Sequence, residues 1–244
     1  YLVYQFLVTD YTNGYVWGHT ADYLPLLYRV TGVYAGVEGS LLLWAGALAL
    51  AVLWTVWMAA RRRDARLVST IATGLLAYFA VLVVLRSPFQ PLTFGSGSVL
   101  FGPRGLNPLL INPYMGIHPP VTFFGYATTA VPFAVGVAHF YRRLQGDDGL
   151  FAAWLPTVAQ WLRAAWLFLT AAVALGAFWS YNTLGWGGLW AWDPVETGIL
   201  VTWLFVTATV HALAELRRRG SNPILAAALA TLALPSVVFA RYVT

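Results

Sequence analysis

Long apolar runs alternate along this chain with short arginine-bearing or aromatic-polar stretches, and the lengths of the runs set the architecture. Tyr1 to Val8 is too short to cross a bilayer, which takes about twenty helical residues, and reads as the tail of a helix. Thr9 to Ser40, with Asp10, Asn13, Gly14, His19, Asp22, Pro25 and Arg29, predicts an external loop holding a short surface helix. Spans are predicted over Leu41 to Ala60, Leu67 to Leu85, Pro119 to Tyr141, Ala164 to Thr183, Pro194 to Leu216 and Pro223 to Val243. Arg86 to His118, rich in Gly, Pro and Asn, reads as a long loop. An inner segment with Asp147, Asp148 and Arg163 precedes the fourth span.

Arginine placement orients these spans. Arg61, Arg62, Arg63, Arg66, Arg142, Arg143, Arg163, Arg217, Arg218 and Arg219 fall at one set of ends, and only Arg29, Arg86, Arg104 and Arg241 at the other. Arginine-rich loops stay cytoplasmic, so residues 86–118 and 184–197 are expected outside. The reading is an all-α, polytopic integral membrane helical bundle: one multi-span domain over residues 1–244, six complete spans and part of a seventh. Both ends adjoin apolar runs, so a longer parent chain is expected.

Composition supports this. Of 244 residues 59% are hydrophobic and 9% charged, against about a quarter charged in soluble domains; mean hydropathy is +0.68. The net charge of +5 follows from the topological arginines and does not indicate nucleic acid; the surrounding partner is membrane lipid. Cysteine is absent, so any thiol chemistry belongs to a partner. No phosphate-binding glycine loop, zinc spacing or Ser/His/Asp arrangement occurs. Gly95 to Ser98 reads as a flexible loop, and Glu38 as the acidic start of a helix.

The densest chemistry lies in Leu184 to Thr197, LGWGGLWAWDPVET. Gly187 and Gly188 let backbone approach a flat ligand, and Trp186, Trp190 and Trp192 offer stiff apolar faces with one N–H each. A plainer account also fits: indoles enrich at membrane interfaces, and Asp193, Pro194 and Glu196 suit N-cap, N1 and N3 of a helix. Four histidines could serve iron. His118, before Pro119-Pro120, is expected to have extended backbone at a helix start, where the positive dipole end keeps its ring neutral. His211, seventeen residues after Pro194, lies about 25 Å deeper at about 1.5 Å per residue, and an ionisable group there marks a functional site, a neutral interhelical bond, or a side chain drawn to the inner surface beside Glu215. His139 reads as interfacial and structural, and His19 as a further external candidate. Arg29, Arg86, Arg104 and Arg241 could grip carboxylates such as haem propionates.

WGGxWxWDPVE resembles the tryptophan-rich signature of haem-handling proteins of cytochrome c biogenesis. LPLLYRVTGVYAGVEGSLLLW (Leu24 to Trp44), LNPLLINPYMGIHPPVTFFGY (Leu106 to Tyr126) and TATVHALAE (Thr207 to Glu215) occur in the same order as in the CcmF family, including its relative serving nitrite reductase maturation. That resemblance implies a haem lyase component in the bacterial cytoplasmic (inner) membrane, its platform extracytoplasmic. It implies receipt of haem from a CcmE-like chaperone and, with a CcmH-like partner, attachment through thioethers to the CxxCH cysteines of apocytochrome c. By motif, His118 would ligate the delivered, transient haem, and His211 a stable membrane haem b acting as reductant. Trp186, Gly187, Gly188, Trp190, Trp192 and Asp193 would form the platform. The family's second external histidine and second haem b ligand follow the last span and have no counterpart in these 244 residues. A haem exporter of the CcsA type and a structural docking subunit without haem are the competing functions.

Overall fold

The computed structural model describes residues 1–62, 64–93, 102–184, 188–220 and 223–243; the expectations for Gly95 to Ser98, Trp186 and Gly187 fall outside them. Short helices α1 (Leu2–Leu7), α2 (Gly14–His19) and α3 (Leu26–Gly32) precede seven longer ones. These are α4 (Val37–Ala59), α5 (Ala65–Leu85), α6 (Tyr114–Thr128), α7 (Ala130–Arg143), α8 (Leu150–Leu184), α9 (Pro194–Arg219) and α10 (Pro223–Val243). With α6 and α7 counted as one rod, six helices are long and apolar enough to cross a membrane. No strand occurs among the described residues.

The α6–α7 rod is central: 78% of its apolar stretch is buried, against 17% in α5. The rod packs on α4, α5, α8 and α10, while α9 lies between α8 and α10. Glycines permit this closeness. A Cβ at Gly198 would sit 3.1 Å from Ala240 Cβ, and one at Gly136 would collide with Thr231 Oγ1. Alanines complete the seam, with Ala226, Ala227, Ala230 and Ala233 all buried. The two halves of the rod meet at Thr129, near Pro132, which has no N–H to offer, and the Thr128 and Thr129 hydroxyls donate to the Gly125 and Tyr126 carbonyls.

One end of the bundle is knotted by arginines. Arg62 pairs with Asp64, and the fully buried Trp154 donates its indole N–H to the same carboxylate at 3.0 Å. Burial pushes the Asp64 carboxyl up, but the Arg62 hydrogen bond and charge and the Trp154 bond outweigh it and lower its pKa. Arg142 pairs with Asp147, and Arg143 with Asp148.

Four expectations are corrected. The segment before the fourth span is mostly helix, because α8 starts at Leu150 rather than Ala164: buried Leu150, Phe151 and Trp154 extend its apolar face, and Pro156 is tolerated near its start. The loop expected to run to His118 ends at Pro113. His118 itself is helical, the fifth residue of α6, with Pro119 and Pro120 inside the helix. Pro120 cannot bond the Gly116 carbonyl four residues back, and the Tyr34 hydroxyl donates to it instead at 3.3 Å. His139 is not interfacial but fully buried between Phe140 and Phe151, its ring nitrogens without partners.

Candidate functional site

At the end opposite the arginine knot, α6, α8, the start of α9 and residues Leu109 and Leu110 enclose a cleft of about 760 Å³, counting its open mouth. Its α8 wall is one helix face, Ala172, Val173, Gly176, Ala177, Ser180 and Thr183, at the three- and four-residue spacing of a single stripe. His118 forms the floor, Trp190 a side, and Asp193, Glu196 and Ile199 the α9 edge. The histidine and the tryptophan turn, far apart in sequence, therefore share one cavity.

His118 fits against α8 because Gly176 has no side chain: a Cβ there would lie 3.0 Å from His118 Cε1. The ring meets Trp179 edge to face at 5.5 Å between centroids and lies against the Ala172 backbone. Its Nδ1 is buried without a partner. A neutral imidazole donating from one nitrogen keeps a lone pair on the other, which is what a metal ligand offers. His118 also lines a second cleft with Tyr34, Met115, Phe123 and Tyr126, so the ring borders both.

The tryptophan turn is held by Glu196. Asp193 caps α9, its Oδ1 accepting from Glu196 N–H at 2.8 Å, as the sequence predicts. The Glu196 carboxylate reaches past the cap, and Oε2 accepts from Ala191 N–H at 2.7 Å and Trp192 N–H at 3.0 Å. These bonds hold Trp192 at φ 58°, a left-handed conformation disfavoured for a bulky residue. Trp190 and Trp192 meet edge to face at 5.9 Å, but only Trp190 lines the cleft; Trp192 is 71% exposed. Gly188 takes φ 67° in the same turn and is exposed.

Buried polar atoms without partners concentrate here. His118 Nδ1, Ser180 Oγ, Trp190 Nε1 and Glu196 Oε1 are all orphaned, and all four residues line this cleft. Burying an unpaired polar group costs about 1–3 kcal/mol; four in one apolar cavity indicate groups that a ligand satisfies. Ser180, Trp179, Gly176 and the second Glu196 oxygen were missed by sequence reasoning, although the α8 stripe was readable as periodicity.

His211 lies elsewhere. It is exposed in a groove between α9 and α10, with Ala208, Ala212, Glu215, Arg218, Leu225 and Leu229, and no second histidine joins it among the described residues. One imidazole flanked by small apolar residues fits one face of a haem. His19 is engaged locally: its Nδ1 lies 2.9 Å from the Tyr15 carbonyl and its ring meets Tyr15 at 4.2 Å, tilted by 30°. Arg29 donates to the Leu24 and Asp22 carbonyls, whereas the Arg104 guanidinium lies over Trp17 at 5.7 Å. No cluster of three or more metal-binding side chains occurs among the described residues.

Fold and site define a multi-pass helical membrane protein that gathers an imidazole and an indole around an apolar cleft at one end. The chain belongs to the cytochrome c assembly protein family, whose model matches residues 34–244. It is 36% identical over 225 residues to the cytochrome c-type biogenesis protein CcmF of Escherichia coli, covering 90% of this chain and 33% of that one. It is 35% identical over 221 residues to the biogenesis protein ccl1 of Rhodobacter capsulatus, covering 89% and 32%. NrfE of Haemophilus influenzae is 35% identical over 232 residues, covering 90% and 34%. A solved structure described as cytochrome c heme lyase CcmF superposes with a TM-score of 0.77 at 29% identity, over 100% of this chain and 38% of that one. The chain thus spans about a third of the length of these relatives.

Proposed function

We propose that this chain is the haem-holding part of a cytochrome c maturation protein in a bacterial cytoplasmic membrane, its cleft on the extracytoplasmic side. The observation that carries the reading is the convergence of an unpartnered His118 nitrogen, an unpartnered Trp190 N–H and apolar α8 side chains on one cavity. Delivered haem is the cargo. His118 would supply a nitrogen to the iron, Trp190 and Trp179 aromatic faces, and the turn at Gly188, Trp192 and Asp193 the rim; the family resemblance adds Trp186 and Gly187 to that platform. A CcmE-like chaperone hands the haem over, and a CcmH-like partner brings the apocytochrome.

Each thioether forms by addition of a thiol across a haem vinyl group, with no leaving group. The chain has no cysteine, so both thiols come from the apocytochrome. The contribution of the chain is to orient the vinyls and fix the iron, converting an encounter into a local reaction. His211 would help to hold a resident haem b, which would supply reducing electrons.

The test uses the full-length protein in nanodiscs and its reduced-minus-oxidised spectrum. A haem b signal is expected in the wild type, lost in His211→Ala and retained in His118→Ala. His118→Ala is expected to weaken binding of added haem at least tenfold. Absence of any haem band, or loss of the resident signal in both variants, overturns the assignment.

A further inference from the structure

Two pentads of nearly one sequence face each other across the α8–α9 seam: Trp166-Leu167-Phe168-Leu169-Thr170 and Trp203-Leu204-Phe205-Val206-Thr207. The spacing sets each tryptophan one turn before its threonine on the same helix face. Trp166 donates its indole N–H to Thr207 Oγ1 at 3.0 Å, and Trp203 donates to Thr170 Oγ1 at 2.8 Å. Each hydroxyl then donates to the carbonyl of the tryptophan on its own helix, both at 2.7 Å. The result is a closed clasp with approximate two-fold symmetry, in which every indole N–H and every hydroxyl proton is used and the rings lie 6.5 Å apart.

This clasp admits one register. Sliding α9 by one turn, about 5.4 Å, sets Trp203 opposite Trp166 or Ala174, and neither side chain can accept a hydrogen bond. Within an apolar span no water replaces the lost acceptor. The clasp also sits between the two candidate haem positions. His211 follows Thr207 by one turn on α9, and the cleft wall at Ala172 and Val173 begins within a turn of Thr170 on α8.

We propose that Trp166, Thr170, Trp203 and Thr207 are positioning residues that set the depth of His211 relative to the His118 cleft. This rests on the reading of His211 as an iron ligand given above. The seam is a ruler: it fixes the separation between a resident haem on one face of α9 and a cargo haem at the end of α8.

The test uses the full-length protein in nanodiscs, with spin labels on cysteines introduced at Leu167 and Leu204, both more than half exposed, in a cysteine-free background. The wild type is expected to give one narrow distance peak. Thr170→Val or Thr207→Val should raise a second population about threefold each, and the double variant about eightfold, as expected from typical interhelical bonds in membranes. Haem b content and midpoint potential should shift with it, and Thr→Ser at either site should restore both. Unchanged label distances in the double valine variant overturn the clasp. Altered distances with an unchanged haem b potential overturn its role in setting His211. If His211→Ala leaves the haem b signal intact, the ligand reading fails separately, and the label distances still decide the clasp.

Discussion

Replacing Glu196 by alanine tests how the tryptophan turn is held. The carboxylate is 8% exposed and accepts two backbone N–H bonds, from Ala191 and Trp192. Bonds to a charged acceptor contribute about 1.5–3 kcal/mol each, so the pair supplies about 3–6 kcal/mol. Against this stands the left-handed Trp192 backbone, which costs about 1–2 kcal/mol and relaxes once the bonds are gone. The net loss of about 1–5 kcal/mol lowers the population of the closed turn at least about fivefold. Hydrogen exchange of the Ala191 and Trp192 amides should accelerate by that factor, and added haem should bind correspondingly more weakly. Glu196→Gln keeps a carbonyl acceptor with bonds about half as strong and should fall between. Helix α9 should survive in both variants, because Asp193 still caps it. Wild-type exchange at these two amides in Glu196→Ala would refute the reasoning.

Gly176→Ala places a Cβ 3.0 Å from His118 Cε1 and forces the ring to move; overpacking costs about 1–3 kcal/mol. Haem titration should show about fivefold or greater weakening, with the resident haem b spectrum unaltered. Asp64→Asn tests the arginine knot. Because the folded carboxyl titrates below its ordinary value, its contribution is present above that value and is lost as pH falls through the folded pKa. Thermal denaturation should show wild-type stability declining toward the wild-type/Asp64→Asn difference of zero at low pH. The neutral-pH difference should be about 1 kcal/mol or less, as expected for a partly exposed pair.

Much of this arrangement is written in run lengths and arginine positions, because a bilayer rewards continuous apolar helices and little else. The spans, the Asp193 cap and the acidic start of α4 at Glu38 follow from local rules. What escaped those rules depended on tertiary partners. His118 was expected to be extended before proline, yet Tyr34 from another segment satisfies the carbonyl that Pro120 leaves free. The early start of α8 depends on Trp154 finding Asp64 across the bundle. The reach of Glu196 beyond its own cap is equally invisible to a local pattern, since it needs the turn already folded above it. Of the three indoles in that turn, sequence could not tell the inward-facing Trp190 from the outward-facing Trp192.

The consecutive prolines after His118 also bear on how cargo moves. Two rings with fixed torsions follow directly on the imidazole-bearing residue, and the Gly116 carbonyl that Pro120 strands is tethered to Tyr34. That anchorage fixes the backbone that carries the imidazole; under the proposed function the residue would be a mooring post rather than a swinging arm for a macrocycle. Capture and release would then fall to whatever can yield, namely the indole-bearing turn and the visiting proteins, with the post itself staying still.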